Sequence, residues 1–355
     1  MWVCVIARTT RSERLGKLAH NLVKMGVVEA PNRFEIQLRE PETDIPDDWV
    51  LIDICAVGLC GTDYHIYQGK HPFLNYPRVI GHELSGRVTQ DTGAWKAGDL
   101  VVINPYISCG DCRPCHRGKP NCCRNIEVLG VHRDGGMAPQ IAVPSQNLYS
   151  AIGLSAIQAA MVEFLAIGAH AVRRSEVTEG DRVLVAGIGP IGIGVALFSR
   201  LLGAEVTLLD LSAQRLAMAK DQFDFQVSCT SISEAIAESG GDGYDVVFDA
   251  TGHAGAINTG FEAVAHGGTY VLVSVVKDDI TFSDPEFHKR EMRLIGSRNA
   301  LQSDFDWVIS AMRDGLINSS ALCSSVITLE ELAEQMPSLA HARDDLIKVV
   351  VEFGP

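Results

Sequence analysis

The chain has 355 residues, 46% of them apolar and 21% charged, and its 44 acidic side chains against 30 basic ones leave a formal net charge of −14. That length suggests about two domains, and the composition is that of a soluble, cytoplasmic globular protein. The acidic surplus argues against a nucleic-acid partner, which needs clustered Lys and Arg; the longest apolar run, AMVEFLAIGAHAV (160–172), carries a glutamate and a histidine and is too short to span a membrane.

Residues 1–24 are basic, with Arg8, Arg11, Arg14, Lys17 and Lys24 against a lone Glu13. The composition resembles a transit peptide. The plainer reading is an extension ahead of a natural start at Met25, because MGVVEAPNRFEI already has the pattern of a first strand. From Gly26 to about residue 150, short β-type runs such as VVINPYI and APQIAVP are broken by Gly, Pro and Asn, which describes a β-rich, loop-rich domain.

Within that region CGDCRPCHRGKPNCC (109–123) places five of the ten cysteines in one short stretch. They are too crowded for a dispersed disulfide framework, and a metal is the first reading for such spacing in an intracellular chain. Cys109, Cys112, Cys115 and Cys123 follow C-x2-C-x2-C-x7-C. Four thiolates suit a closed tetrahedral zinc site, which is structural because no position stays open for substrate. Spacing alone leaves either Cys122 or Cys123 as the spare thiol.

From about residue 181 strands and helices alternate. RVLVAG (182–187), AEVTLLD (204–210), YDVVFDA (244–250), GTYVLVSV (268–275) and MRLIGS (292–297) read as buried strands. SAQRLAMAKDQF (212–223) reads as a helix with Ser212 as N-cap. This is the pattern of a doubly wound parallel sheet, so the fold class is α/β. After residue 299 the chain reads as helical and ends in a strand, DLIKVVVEF (345–353).

The first strand of that sheet runs into Gly187, Gly189 and Gly192, a G-x-G-x-x-G loop that opens a helix, with Pro190 and Ile191 inside it. Such a loop turns tightly at the first glycine and admits a pyrophosphate at the second. It packs helix on strand at the third and aims the helix N-terminus at the phosphates. Asp210 ends the next strand, where it would accept hydrogen bonds from the adenosine ribose hydroxyls and repel a 2′-phosphate. Arg215 is the nearest cation, a turn further on. The expected cofactor is NAD rather than NADP.

Three scattered segments, VGLCGTDYHIY (57–67), VIGHELSGRV (79–88) and MVEFLAIG (161–168), supply Cys60 and His82 as candidate metal ligands and Glu83 and Glu163 as candidate carboxylates. With the four-cysteine lobe and GIGPIG, in this order, they resemble the zinc-dependent medium-chain alcohol and polyol dehydrogenase family over residues 26–355. The resemblance implies a GroES-like β-rich catalytic domain (25–157 and 299–355, with a structural zinc lobe at 105–125) and a Rossmann NAD-binding domain (158–298). It implies two zinc ions per subunit. One is held by Cys109, Cys112, Cys115 and Cys123, leaving Cys122 over; the other, catalytic, is held by Cys60 and His82 with Glu83 or Glu163 as third ligand. Phe164 departs from the proline usual after that glutamate in the sorbitol, threonine and sugar-acid branches.

The same resemblance assigns Thr62 to the substrate hydroxyl and His65 to a proton path through the cofactor ribose, while Asp63 orients a ligand. Arg298 and Asn299 become substrate candidates, and a homodimer or homotetramer is expected. INPYISCG, GVHRDGGM and FHKREMRLIGSRNA are similar to the bacterial branch that oxidises hexitols and aldonic acids such as L-galactonate. CGTDYHIY is also similar to the threonine dehydrogenase motif. A non-catalytic relative would show erosion at Cys60, Thr62, His65, His82 or Asp210, and all five are present.

Overall fold

The computed structural model describes residues 22–42, 44–71, 74–341 and 346–354. Residues 1–21, most of the expected extension, lie outside them. Among the described residues the first strand begins at Val23, two residues before Met25. Strand β1 (Val23–Ala30) pairs antiparallel with β2 (Arg33–Arg39) from Val23 onward, and the Lys24 ammonium reaches Glu330 at 2.6 Å. Met25 therefore sits inside a strand, because the alternation that marks β1 begins before it.

The β-rich part continues through β3 (Trp49–Gly58), β4 (Arg78–Val79), β5 (Glu83–Val88), β6 (Leu100–Ile103), β7 (Tyr106–Ile107), β8 (Glu127–Val128), β9 (Gln140–Pro144) and β10 (Leu148–Ser150). It is completed from the far end of the chain by β17 (Cys323–Ile327) and β18 (Lys348–Glu352). The main sheet has the order β10-β6-β5-β3-β18-β17, with β9 also on β3. Its strands are rich in Val and Ile and bury a continuous core that includes Ile52, Val57, Leu84, Ile103 and Val351. The sequence after residue 299 was read as helical up to the last strand, and β17 corrects that. CSSVI holds only two apolar branched residues, so its strand character comes from pairing parallel to β18.

The intervening sheet is parallel, in the order β13-β12-β11-β14-β15-β16, built from β11 (Arg182–Ala186), β12 (Glu205–Leu209), β13 (Ser228–Cys229), β14 (Tyr244–Asp249), β15 (Val264–Leu272) and β16 (Arg293–Gly296). The two-residue strand β13 is too short to leave a periodic signal in the sequence. Helix α1 (Gly61–Tyr67) precedes this sheet in the β-rich part, and α2 (Val162–Ser175) links the two. Helix α3 (Pro190–Leu201) follows β11, and α4 (Ala213–Phe223) follows β12, where the Ser212 hydroxyl accepts the Arg215 N–H. Helix α5 (Gln302–Arg313) leads back to the β-rich part. Gly168 of α2 faces Gly194 and Val195 of α3, where an added Cβ would press on backbone, so the two helices cross in close contact. This crossing fixes the first turn of α2, which carries Glu163, relative to the glycine loop. No helix among the described residues is long and apolar enough to cross a membrane.

Candidate active site

Cys60 is the N-cap of α1, and the chain turns there because Asp63, three residues on, accepts the Cys60 N–H at 2.9 Å. The other Asp63 oxygen accepts the Gly81 N–H at 3.1 Å and stands 3.8 Å from His82 Nδ1. One fully buried carboxylate thus ties the start of α1 to the segment that carries His82, and it lies behind the imidazole, where it fixes ring orientation. Burial raises the Asp63 pKa, partly offset by His82. Burial disfavours a charged His82, yet Asp63 and Cys60 together carry its pKa well above the ordinary imidazole value.

Cys60, His82 and Glu83 present ligand atoms within 4.8 Å of one another. Glu83 and Glu163 are each half-engaged. Glu83 Oε1 accepts from Lys348 Nζ at 2.6 Å, and Glu163 Oε1 accepts from the Tyr106 hydroxyl. Oε2 of both carboxylates and Nδ1 of His82 are buried without a hydrogen-bond partner. Buried polar atoms are seldom left so, and a soft thiolate, an imidazole and a carboxylate converging in one place fit zinc. Burial pushes the Glu163 carboxyl up to about 7, with His82 opposing and Glu83 reinforcing the shift, so the two glutamates share one electrostatic site. Glu163 stands beside the cluster of three, held by Tyr106.

Lys348 and Tyr106 were missed in the sequence. Lys348 is 1% exposed, donates also to the Leu59 carbonyl at 3.0 Å, and lies over the Phe164 ring at 4.5 Å. Phe164 therefore has a role that proline could not fill: its face covers the ammonium that holds Glu83. Gly58 makes room for the same carboxylate, since a Cβ there would overlap Glu83 Oε2. The signal in the sequence was a lysine inside an otherwise apolar strand, KVVVE. Thr62 stands with its hydroxyl 3.8 Å from Cys60 Sγ, and His65 is exposed on α1.

The four lobe cysteines converge, with Sγ separations of 3.4 Å (Cys112–Cys115), 3.8 Å (Cys112–Cys123) and 3.4 Å (Cys109–Cys123). A tetrahedron with Zn–S bonds of ~2.3 Å has edges of ~3.8 Å, so the donor set suits zinc. Cys123 is buried and accepts the Cys109 and Asn125 N–H groups at 3.3 Å, whereas Cys122 is exposed and outside the group. The Arg124 and Cys115 backbone N–H groups help hold the Cys112 thiol down to about 6, and burial pushes Cys115 up to about 12.

Around the glycine loop, Gly187 has φ 87°, and a Cβ would meet the Ala250 carbonyl. A Cβ on Gly192 would overlap the Gly187 carbonyl oxygen, so helix and strand pack there without side chains. Gly189 is the N-cap of α3, with Pro190 at its first position and Ile191 next; a Cβ on Gly189 would meet nothing, which leaves open space at a helix N-terminus. That is the cradle a pyrophosphate fits. Asp210 accepts the Ile188 N–H at 2.7 Å and the Ser212 N–H at 2.8 Å, and Arg215 stands 3.7 Å from it.

Asn299, one of the substrate candidates, donates its amide to the Asn121 carbonyl of the cysteine lobe at 3.3 Å and has a left-handed φ of 52°. Asn121 in turn donates to the Arg298 carbonyl at 3.0 Å and lies 3.2 Å from His170 Nε2. His170 Nδ1 contacts Asp304 at 2.8 Å, and Asp304 also binds Arg173 at 2.7 Å. The lobe is thereby tied to α2 and to the start of α5. The Arg298 side chain itself is exposed.

A β-rich part holding thiolate and imidazole donors, joined to a parallel sheet with a dinucleotide loop, defines a two-domain oxidoreductase that takes zinc and a nicotinamide cofactor. Residues 46–152 match the alcohol dehydrogenase GroES-like domain and residues 190–314 the zinc-binding dehydrogenase domain. The chain is 38% identical over 337 residues to L-galactonate-5-dehydrogenase of Escherichia coli (strain K12), covering 93% of this chain and 99% of that one. RspB of E. coli CFT073, complexed with NADH, superposes with a TM-score of 0.87 at 28% identity, over 94% of this chain and 100% of that one. A zinc-binding dehydrogenase of Sinorhizobium meliloti 1021 bound to NADP gives 0.86 at 28%, over 93% and 99%. The chain belongs to the zinc-dependent medium-chain alcohol and polyol dehydrogenase family.

Proposed function

We propose that this protein is a zinc- and NAD-dependent dehydrogenase that oxidises a secondary alcohol of a polyol, sugar or sugar acid. The observation that carries the reading is the convergence of Cys60, His82 and Glu83, with Glu83 Oε2 buried and unpartnered. The 38% identity to an L-galactonate dehydrogenase supports the substrate class. Cys60 and His82, with Glu83 or Glu163, would hold a catalytic zinc, and the four lobe cysteines a structural one. When bound, zinc supplies a Lewis acid that makes the substrate hydroxyl acidic, and NAD supplies the hydride acceptor.

The chain's own groups do the rest. Asp63 keeps the His82 ring in place, and the Thr62 hydroxyl, next to Cys60, accepts a hydrogen bond from the substrate hydroxyl. His65, at the exposed face of the same helix, delivers the released proton to solvent. Asp210 ends the second strand of the nucleotide sheet, where a carboxylate favours ribose hydroxyls over a 2′-phosphate, and this supports NAD. The enzyme acts as a cytoplasmic homodimer or homotetramer.

The test is NADH formation over a panel of polyols, aldonates and threonine, together with zinc analysis of Cys60→Ser. The variant is expected to stay folded, lose one zinc and lose turnover. Turnover that survives without that zinc sinks the reading, and preferred oxidation of threonine moves the substrate class to amino acids.

A further inference from the structure

Two buried carboxylates border the candidate metal cluster, and each has one oxygen held by a different kind of donor. Glu83 Oε1 accepts from the Lys348 ammonium at 2.6 Å, whereas Glu163 Oε1 accepts from the neutral Tyr106 hydroxyl. Glu163 is 1% exposed, and its Oε2 has no hydrogen-bond partner. Packing makes the two glutamates neighbours. Helix α2 lies against β5, which opens with Glu83. Phe164, next in the chain to Glu163, has its ring 4.5 Å from the Lys348 ammonium that holds Glu83. Of the two, only Glu83 belongs with Cys60 and His82 to the group whose ligand atoms lie within 4.8 Å of one another.

Tyr106 is held firmly in place. It sits in β7, which pairs with β8 across the base of the cysteine lobe, Tyr106 opposite Val128. Its N–H donates to Asn104 Oδ1 at 3.0 Å, and its carbonyl accepts from the Asn147 amide at 3.1 Å. The Asn147 amide also donates to the Asn104 carbonyl at 2.8 Å, and the Asn104 amide donates to the Tyr149 hydroxyl at 2.9 Å, so the groups that clamp this backbone are themselves fixed. The ring packs in the core that includes Val102, Tyr149 and Phe164. A phenylalanine would fill the same space. A buried tyrosine needs a partner for its hydroxyl, and here the partner is a carboxylate at the reacting centre.

We propose that Tyr106 is a positioning residue that holds Glu163 back from the metal, so that Cys60, His82 and Glu83 are the protein ligands and the fourth position stays open for the substrate hydroxyl. This rests on the dehydrogenase reading above and adds to it a residue acting through Glu163. Without the tyrosine hydroxyl, Glu163 would have two buried oxygens and no partner for either, a cost that binding to the adjacent metal would relieve. With it, Oε1 is already satisfied and the carboxylate is restrained from turning. Hydrogen bonds to charged groups are the stronger ones, so the restraint is large enough to decide where Glu163 rests.

The experiment uses the full chain, loaded with zinc or with cobalt at the Cys60–His82 site, as wild type, Tyr106→Phe, Glu163→Ala and the double variant. Tyr106→Phe should raise KM for the fastest-oxidised polyol or aldonate by about 10- to 100-fold with kcat changed far less, because the released carboxylate competes for the open position. The visible cobalt spectrum of the substrate-free variant should change, Tm should stay near that of wild type, and chelator competition should show the metal retained at least as well. In the Glu163→Ala background the same substitution should alter neither KM nor spectrum. KM and a cobalt spectrum unchanged in Tyr106→Phe overturn the inference. An effect that persists in the Glu163→Ala background also overturns it, as does loss of the metal from Glu163→Ala, which would make Glu163 itself a ligand. A lowered Tm with both metals lost assigns Tyr106 to folding and overturns it as well. In each case wild-type turnover that Cys60→Ser abolishes leaves the dehydrogenase reading standing. If wild type oxidises no alcohol, that reading falls and the inference falls with it.

Discussion

Lys348 Nζ lies 2.6 Å from Glu83 Oε1, and both residues are buried from solvent. The pair joins the last strand to β5, and its ammonium is closed off by the Leu59 carbonyl and the Phe164 face. Burial alone would lower the Lys348 pKa, but Glu83 and Cys60 more than restore it, so the lysine stays charged. One Glu83 oxygen is thereby fixed by Lys348, and the other, Oε2, is buried without a partner.

Replacing Lys348 by Met keeps the volume and strands the Glu83 charge. Removing one partner of a buried pair costs about 3–5 kcal/mol, so Lys348→Met should lower urea stability by that order and weaken zinc retention at Cys60 and His82. The double variant Lys348→Met/Glu83→Gln removes the charge as well and should recover part of the stability. A single variant as stable as wild type would show that the pair carries no such role.

The lobe and the active-site cluster should separate under mutation. Cys112→Ser takes a donor from the four-thiol group, three of whose Sγ pairs lie 3.4–3.8 Å apart. Because Asn121 of that lobe also binds the Arg298 carbonyl and His170, its loosening should reach α2 and the return to the β-rich part. The expected result is one zinc fewer and a lowered Tm, with turnover lost in step with folding. Cys60→Ser should lose turnover at nearly unchanged Tm. Identical Tm values for the two variants would remove the distinction between a structural and a catalytic site.

Asp304 offers a pH test. Its carboxylate is engaged by His170 Nδ1 at 2.8 Å, Arg173 at 2.7 Å and the Leu301 N–H at 2.7 Å. Burial pushes its pKa up, but the His170 and Arg173 hydrogen bonds outweigh burial and hold it below the ordinary 3.8. As pH falls, the unfolded chain therefore takes up this proton first, and the folded state loses the carboxylate's contribution. That contribution is full above the unfolded value and fades as pH drops through the folded one. Asp304→Asn should cost about 2 kcal/mol at neutral pH, and its difference from wild type in urea unfolding should shrink below pH ~4. A difference constant down to pH ~3 would assign the effect to packing instead.

What the sequence disclosed follows from where each interaction is made. The glycine loop and the cysteine lobe are local, so spacing carries them: Gly192 must be bare because Gly187 is five residues away. Cys60 and Asp63 are likewise one helix turn. Lys348 and Glu83 stand 265 residues apart, Asp304 and His170 134, and Tyr106 and Glu163 57. No periodicity reports such pairs, since only the folded sheets bring them together. The Asn299 contact was hidden for the same reason: its position after β16 was legible, but the carbonyl it binds belongs to Asn121.

Cofactor choice turns on Asp210. Its two oxygens accept the Ile188 and Ser212 N–H groups, which holds the carboxylate at the end of β12 with Arg215 3.7 Å away. A 2′-phosphate placed there would face this charge at short range, and like charges in such a site cost several kcal/mol. Asp210→Asn keeps an acceptor oxygen for the loop and removes the repulsion. It should raise kcat/KM with NADP by ~10- to 100-fold while lowering that with NAD, because the ribose hydroxyls lose their charged acceptor. Adding Arg215→Ala should reverse part of the NADP gain, since a guanidinium 3.7 Å from residue 210 adds attraction for a phosphate. Steady-state kinetics with both cofactors decide it: a wild type that already prefers NADP, or an Asp210→Asn enzyme with an unchanged cofactor ratio, would take the selectivity away from this residue.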